Sequence, residues 1–190
     1  KDQQFFFSYI GTAYKMTRNI QPVIEAIISM NGSNDIDKGR AFIFKAVGPV
    51  SNKFVKNIPD HEKENIHFTG HVNYATSCVE ISEKVDVLVF IGNRGGLQIP
   101  AKLYQYLHAN KPILFCTQDE SDPAYLLAKT YSGIVYSDNN IESLRQACGE
   151  LVNNYDKYVI EASGRVSSES LKSYSWVNLA IKFAEQINLK

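Results

Sequence analysis

Apolar residues occur in short runs along this chain, and polar or turn-forming residues separate them. Six runs have the length and composition of strands, and the run at 85–91 is continuously apolar apart from Asp86. Such a run is typical of a strand covered on both faces of a sheet. The predicted strands are residues 5–10, 41–47, 66–69, 85–91, 112–117 and 133–136.

Helical periodicity fills most of the segments between these strands. Thr17 or Asn19 can open the first helix, Asn73 can cap one over residues 74–84, and Asn140 can cap a later one. Further predicted helices cover residues 51–56, 100–109, a stretch from Ser121 or Asp122 with Pro123 in its first turn, and 173–190. We expect Cys78 and Ile81 to face inward from the helix over 74–84.

The alternation of strands and helices predicts one fold class. It is an α/β, Rossmann-like, doubly wound parallel sheet of about six strands, with helices on both faces in three layers. The 190 residues suffice for a single domain of this kind, residues 1–190. The chain enters its first strand directly and without Met, so we interpret it as a fragment cut at a domain boundary.

Four glycines follow the carboxyl ends of predicted strands, namely Gly11, Gly48, Gly70 and Gly92. Ligands of doubly wound sheets bind at that edge. After the strand at 85–91, a polar loop leads to Pro100, which suits the first turn of a helix. Free backbone amides before a helix can bind an anion. Each glycine is also explained by turn geometry alone, so both interpretations stay open.

Composition narrows the classes of partner. Twenty basic residues balance twenty acidic ones, which gives no reason to expect nucleic acid as a partner. No apolar run approaches the roughly 18 to 20 residues of a membrane-spanning helix. His61, His67 and His71 lack the further ligands of a metal motif, so no metal is expected. The three cysteines are expected to be reduced, buried thiols: Cys78, Cys116 and Cys148.

Four stretches resemble the C-terminal, donor-binding domain of GT-B fold glycosyltransferases of the group 1 type. They are SYIGTAYKMTRNIQPVIEAI, NIHFTGHVNYATSCVEISEKVDVLVF, IPAKLYQYLHANKPILF and YSWVNLAIKF. Each is a weak match alone, but their order and spacing span nearly the whole chain. The last resembles the terminal helix that, in intact members, crosses back toward an N-terminal domain. The resemblance implies that residues 170–190 pack in that direction.

The resemblance also implies a role for each matching position. Amides after the first glycine turn and at the helix after the fourth strand would hold a donor diphosphate, and the loop after the third strand would frame the base. A basic residue near the first helix, Arg18 or Lys15, would neutralise phosphate charge. The implied substrate-binding residues are Gly11, Thr12, Gly70, His71, Val72, Gly95, Gly96, Gln98, Ile99, Pro100, Ala101 and Gln105.

Lys102 and Gln105 lie three residues apart and should share one face of a helix, opposite Leu103 and Leu107. Lys102 and Arg18 are the candidates for stabilising charge on a leaving diphosphate. Gln105 stands where the family usually has a Glu that binds ribose hydroxyls, and Leu97 stands where many retaining members have another Glu. An amide still hydrogen-bonds a diol but carries no charge.

The resemblance therefore implies a donor-binding domain of a hexosyltransferase. Its substrate would be a UDP- or GDP-type nucleotide-diphosphate sugar, with a saccharide or lipid-linked acceptor in cell-surface polysaccharide synthesis. No obligatory metal or other cofactor is expected, and the missing N-terminal domain would bind the acceptor. We expect a cytoplasmic location, with the intact enzyme able to associate peripherally with the membrane, and no turnover by this fragment. Two alternatives remain: a non-catalytic nucleotide-binding or regulatory domain, and a nucleotide-sugar epimerase.

Overall fold

A six-stranded parallel sheet forms the centre of the protein. The computed structural model describes residues 4–14, 18–33, 36–37, 39–56, 58–92 and 99–188. The strands are β1 (Gln4–Ile10), β2 (Ala41–Val47), β3 (Ile66–Phe68), β4 (Val87–Ile91), β5 (Ile113–Thr117) and β6 (Ile134–Asp138). All six overlap the segments predicted from the sequence, so the strand assignment is confirmed.

The strand order β3-β2-β1-β4-β5-β6 creates a topological switch between β1 and β4. From β1 the chain builds outward through β2 and β3, and then returns to build outward again from β4. The two connections that leave β1 and β4 therefore run in opposite directions, and a crevice opens between the carboxyl ends of these strands. The topology places a candidate ligand site there.

Helices cover both faces of the sheet. Within the described residues they are α1 (Gln21–Gly32), α2 (Asn52–Lys56), α3 (Tyr74–Ser82), α4 (Ala101–Leu107), α5 (Pro123–Ala128), α6 (Ile141–Asn153), α7 (Tyr155–Ser167), α8 (Glu169–Lys172) and α9 (Trp176–Asn188), with a 3-10 turn at Asp60–Glu62. α1 and α6 pack on one face, whereas α4 and α5 pack on the other. This is the predicted three-layer, doubly wound fold.

Local sequence signals explain where several helices begin. The side chains of Asn73, Asp122 and Asn140 each accept a hydrogen bond from a backbone amide in the first turn of α3, α5 and α6. Asn19 acts similarly two residues before the start of α1, since its Oδ1 accepts from Gln21 N at 3.1 Å. Three of the predicted caps are therefore confirmed.

The orientation of α3 differs from the prediction. Ser77, Glu80 and Ile81 face inward, but Cys78 is exposed. Two polar residues can be buried there because lysines reach them, with Lys45 Nζ lying 2.6 Å from Glu80 Oε2. The expectation of a buried Cys78 is therefore wrong, whereas Cys116 and Cys148 are buried.

The end of the chain is broken into separate helices. α7 was not predicted, and the long helix predicted over 173–190 begins only at Trp176. Several large apolar side chains of α9 are exposed, including Val177, Phe183 and Ile187. No helix in the described part of the chain is long and apolar enough to cross a lipid bilayer.

Candidate functional site at the switch between β1 and β4

The glycine turns after β1, β2 and β3 lie side by side along one edge of the sheet. Gly11 N donates to Val47 O at 2.9 Å, and Gly48 forms an isolated antiparallel bridge with Gly70. A Cβ added to Gly48 would lie 2.4 Å from the carbonyl oxygen of Gly11, so the first two turns are in direct backbone contact. The three loops therefore form one continuous surface, in which each turn positions its neighbour.

A narrow cleft of about 20 Å³ lies at the switch point. It is lined by Tyr9, Ile10, Arg18, Val89, Phe90, Ile91, Pro100, Lys102 and Tyr106. The cleft thus brings together two predicted cations from distant parts of the sequence, Arg18 and Lys102. No carboxylate is among these lining residues. The local electrostatic field therefore favours an anion.

Lys102 enters the cleft from the first turn of α4. Its Nζ donates a hydrogen bond of 3.1 Å to Ser77 Oγ on α3, which fixes the side chain without neutralising it. Burial lowers the pKa of Lys102, and the nearby Cys78 acts in the opposite sense. A partly desolvated ammonium with a neutral partner is suited to bind a phosphate oxygen.

Tyr9 also lines the cleft. Its hydroxyl donates to Thr12 O at 2.9 Å, across the Gly11 turn. Burial raises the pKa of Tyr9, while the nearby Arg18 guanidinium opposes this shift. Tyr9 therefore stays protonated at neutral pH and connects the first glycine turn with the Arg18 side of the cleft.

The loop after β3 leads from the glycine edge to the lysine side of the cleft. Gly70 adopts φ +68, and the loop then passes through the exposed His71 to Val72, which packs against the apolar cluster beneath α4. α3 follows directly and carries Ser77, the partner of Lys102. The structure thus connects the predicted base-framing loop to the candidate phosphate site through α3.

Gln105 is not among the residues that line the cleft, although it shares α4 with Lys102. Its Oε1 is buried and has no hydrogen-bond partner among the described residues. Ile99 packs against the apolar cluster, Pro100 precedes the first residue of α4, and Ala101 is exposed at its start. The other predicted positions lie outside the described residues: Lys15, Gly95, Gly96, Leu97 and Gln98.

A larger cavity of about 450 Å³ lies elsewhere, between the ends of β5 and β6 and one face of α6. Four carboxylates line it, from Asp119, Glu120, Asp138 and Glu150, and none of the described residues in its lining is Lys, Arg or His. Such a surface repels a diphosphate. Size alone therefore does not identify the anion site, and the charge of the switch-point cleft is the better guide.

Metal ligands do not cluster in the described part of the chain. No group of three or more His, Cys, Asp or Glu side chains there could hold a metal ion. His67 instead contacts the carbonyl oxygen of Glu64 through Nε2 at 2.8 Å. His61, His67 and His71 are all exposed.

Three components of the site were not predicted from the sequence: Tyr9, Ser77 and Tyr106. Tyr106 was hidden within the apolar face of α4, beside Leu107, and its hydroxyl bonds to the distant residue Ile10. Tyr9 belongs to a buried strand and Ser77 to a helix read as amphipathic. In each case the sequence signal that could have indicated a role in the site was a hydroxyl-bearing residue on a buried face, where the strand or helix periodicity favours apolar residues.

No protein-family model matches this sequence, and no curated protein matches it either. Solved structures do resemble the fold. Anabaena Alr3699/HepE, in complex with UDP-glucose, is 10% identical with a TM-score of 0.70, over 98% of this chain and 49% of that one. WaaG, a glycosyltransferase involved in lipopolysaccharide biosynthesis, is 15% identical with a TM-score of 0.63, over 91% of this chain and 45% of that one.

A third similar structure is itself a C-terminal domain. The C-terminal domain of the glycosyl transferase group 1 family protein LpcC from Francisella tularensis is 12% identical, with a TM-score of 0.60. The match covers 87% of this chain and 86% of that one, whereas this chain spans about half the length of WaaG and HepE (45% and 49%). The chain therefore has the Rossmann-like α/β fold of a domain found in GT-B, group 1 glycosyltransferases.

Proposed function

We propose that this chain is the donor-binding domain of a glycosyltransferase that takes a hexosyl group from a nucleotide-diphosphate sugar. One observation carries the proposal: Arg18 and Lys102 converge on the switch-point cleft, whose lining contains no carboxylate. The fold supports it, and so does the UDP-glucose bound by the structurally similar HepE. UDP- and GDP-sugars are the candidate donors, and saccharides or lipid-linked sugars in cell-surface polysaccharide synthesis are the candidate acceptors.

The residues of the cleft would act on the donor diphosphate. The backbone amide of Thr12 would donate to its oxygens, and Lys102 would supply a cation from the cleft. The Gly11 amide already donates to Val47 O, so Gly11 would instead allow the diphosphate to approach the backbone closely. Arg18 would add a second charge. Since negative charge on the diphosphate increases as the glycosidic bond breaks, fixed cations stabilise the transition state more than the ground state. No metal is required for this role in the proposal.

The remaining predicted residues would recognise the nucleoside. The loop of Gly70, His71 and Val72 would frame the base, beside the helix that holds Ser77. Gln105 would hydrogen-bond the ribose, because its buried Oε1 has no hydrogen-bond partner. Reaching a ribose requires the amide of Gln105 to move toward the cleft when the donor binds. Gly95, Gly96, Gln98, Ile99, Pro100 and Ala101 would complete the diphosphate side.

A second domain of the intact protein would supply the acceptor site, so this fragment alone should have no transferase turnover. The exposed apolar side chains of α9 support this division, since Val177, Phe183 and Ile187 are 69%, 66% and 57% exposed. A helix with such a face is usually covered by another surface. In the proposal residues 170–190 pack toward that N-terminal domain, and the intact protein works in the cytoplasm or at the cytoplasmic membrane face.

Gln105 favours the second candidate function, a non-catalytic nucleotide-binding or regulatory domain. It lacks the charge of the usual Glu, and it lies outside the cleft lining. An epimerase is less well supported, because such chemistry would use carboxylates and the switch-point cleft has none among its lining residues. The donor-binding domain and the non-catalytic nucleotide-binding domain would use the same cleft. Nucleotide binding must therefore be tested before transferase turnover.

Calorimetric titration with UDP, GDP and their hexose conjugates tests the proposal. Lys102→Ala and Arg18→Ala should each weaken diphosphate binding about tenfold or more, since a hydrogen bond to a charged group contributes about 1.5–3 kcal/mol. Lys157→Ala on α7 is the control, because Lys157 is outside the cleft lining and should leave affinity unchanged. Failure of the wild type to bind either nucleotide would refute the donor site. Turnover by the 190-residue chain would refute the division between two domains.

A further inference from the structure

The ladder of paired residues between β1 and β4 ends two residues before Gly11. Its last pair is Tyr9 with Val89, although β1 continues to Ile10 and β4 to Ile91. On the other side of β1, Gly11 N donates to Val47 O of β2. Because successive amides of a strand point to opposite sides, the amide of Ile10 points toward β4, where the ladder has stopped.

The side chain of Tyr106 takes the place of the absent strand partner. Ile10 N donates to Tyr106 Oη at 2.8 Å, and the hydroxyl lies 3.4 Å from Ile10 O, to which it donates. One phenol therefore satisfies both backbone groups of the last residue of β1. A buried amide without a partner would be costly, so Tyr106 allows the strands to separate and the cleft to form at this point.

The Tyr106 hydroxyl is held firmly in position. The residue is 1% exposed, and its ring packs edge-on against Phe90 with 6.0 Å between centroids. At the other end of the same turn, Tyr9 Oη donates to Thr12 O at 2.9 Å. The backbone on both sides of Gly11 is therefore fixed by a phenol, with Tyr106 before the glycine and Tyr9 after it.

We propose that the Tyr106 hydroxyl is a positioning group of the donor site, which sets the Gly11 turn and the amide of Thr12 at the spacing from Lys102 that a diphosphate requires. This inference rests on the proposed function. Tyr106 follows Lys102 by four residues, and both side chains line the switch-point cleft. A single short helix thus carries the cation and, through Ile10, fixes the turn that presents the Thr12 amide.

This role predicts a selective effect on binding. Tyr106 is a positioning residue, since it acts on the ligand through the backbone of Ile10 and the adjoining turn. Removing the hydroxyl should loosen the turn and weaken contacts to the diphosphate. The proposed contacts to the base and ribose come from the loop after β3 and from Gln105, not from the Gly11 turn, and should persist. The affinity for a nucleoside diphosphate should therefore fall, while the affinity for the nucleoside alone should stay the same.

Tyr106→Phe tests the inference, and Tyr136→Phe is a matched control. Tyr136 also packs against the apolar cluster beneath α4, but its buried hydroxyl has no hydrogen-bond partner, and it lies at the other cavity. Calorimetry should show a fall of about fivefold or more in the affinity of Tyr106→Phe for UDP. Its affinity for uridine should match that of the wild type. Tyr136→Phe should bind both like the wild type.

Amide NMR spectra supply a second readout that a general loss of stability would not reproduce. In Tyr106→Phe, the Ile10 amide should exchange with solvent at least about tenfold faster, and the Gly11 and Thr12 resonances should shift more than those of β5 and β6. If Tyr106→Phe does not fold, Tyr9→Phe gives the same test at the other side of the turn. It removes the bond to Thr12 O.

The outcomes separate the two proposals. If the wild type binds neither UDP nor GDP, the proposed function fails and the positioning role fails with it. Faster exchange of the Ile10 amide in Tyr106→Phe than in the wild type would still establish the hydrogen bond between Tyr106 and Ile10. If the wild type binds UDP and Tyr106→Phe binds it equally well, only the positioning role is overturned. A parallel loss of UDP and uridine affinity would also overturn it, since that pattern indicates general disruption of the site.

Discussion

Lys102 Nζ on α4 donates to Ser77 Oγ on α3 at 3.1 Å. Because Ser77 is neutral, the positive charge of Lys102 remains available at the candidate site. A carboxylate partner would neutralise the lysine, whereas a hydroxyl orients it and leaves the charge unmatched. No ion pair in the described part of the chain involves Lys102. Burial also lowers the pKa of Lys102. An incoming phosphate would pair with the charge of Lys102 and replace hydrogen bonds that the ammonium group loses to water on burial.

The lowered pKa of Lys102 predicts a pH dependence of nucleotide binding. A bound phosphate favours the charged lysine and raises its pKa, so the complex binds a proton more tightly than the free protein does. Affinity for UDP should be constant while free Lys102 is protonated and fall as the pH rises through its lowered pKa. Titrations above about pH 8 avoid the phosphate itself, whose second pKa is about 6.

Lys102→Arg provides the control for this pH dependence. Arginine stays charged throughout the accessible range, so the alkaline loss of affinity should disappear even if the affinity at neutral pH is lower. Ser77→Ala should retain the alkaline loss, because it removes only the hydrogen-bond acceptor. An identical pH profile in the wild type and Lys102→Arg would show that another group titrates.

A buried arginine fixes the other end of α4. Arg165 on α7 is 2% exposed, and its guanidinium donates to six carbonyl oxygens, those of Tyr106, Leu107, Ala109, Lys111, Ser132 and Gly133. Burial lowers the pKa of Arg165 to about 10, so it remains charged at neutral pH. Positive charge at a helix C-terminus is favourable. Arg165 therefore ties α7 to α4 and to the loop before β6.

Replacing Arg165 by Met should reduce the free energy of unfolding by at least about 3 kcal/mol, because several buried carbonyl groups would lose their donors together. Arg165→Lys should be intermediate, since an ammonium offers three donors where the guanidinium offers five. Urea denaturation measures both. The control is Lys172→Met, which removes an exposed ion pair with Glu169 and should change stability by less than about 1 kcal/mol. Similar losses for Arg165→Met and Lys172→Met would refute the structural role of Arg165.

The contrast between β4 and α7 explains how far the sequence could predict the fold. β4 is an uninterrupted apolar run, which only a buried strand or helix tolerates, and its length decided between them. α7 depends on Arg165, a charged residue whose burial is possible only because six distant carbonyls meet it. Periodicity along one segment contains no information about such distant partners. The element was therefore missed.

In the candidate site, too, residues within recognisable motifs were named from the sequence, whereas contacts between distant residues were not. Gly11, Arg18 and Lys102 were predicted from the family resemblance, and the structure brings Arg18 and Lys102 to one cleft beside the Gly11 turn. Cys78 was placed wrongly because the burial of Ser77 depends on Lys102, which belongs to another helix. The bond between Tyr106 and Ile10 joins residues 96 positions apart. Such cross-chain contacts could not be derived from local pattern.

The contact between the first two glycine turns predicts a strong effect of Gly48→Ala. The new Cβ would lie 2.4 Å from Gly11 O, and Gly48 has φ +129, which an L-residue rarely adopts. Because the obstacle is backbone, the Gly11 turn would have to move. We expect the free energy of unfolding to fall by about 2–4 kcal/mol, and UDP affinity to fall as well. Thermal denaturation and calorimetry measure the two effects.

Gly164→Ala is the control for this substitution. Gly164 lies within α7, where an added Cβ meets nothing within 4 Å. Alanine has the higher helix propensity, so this change should raise stability by about 0.5–1 kcal/mol. Its UDP affinity should equal that of the wild type. If Gly48→Ala is as stable as Gly164→Ala, the close packing of the two turns is wrong.

Thiol reactivity tests the orientation of α3, on which the partner of Lys102 depends. Cys78 is exposed, whereas Cys116 and Cys148 are buried and burial raises the pKa of both thiols. Since the thiolate is the reactive form, Ellman's reagent should modify one cysteine rapidly in the native protein and the other two only after unfolding. Cys78→Ser should abolish the rapid phase, and Cys116→Ser should leave it unchanged. If α3 were instead rotated to bury Cys78, as its apolar residues alone suggested, Ser77 would no longer face Lys102. A native protein with no rapidly reacting thiol would thus contradict both the helix orientation and the hydrogen bond that holds the lysine in the cleft.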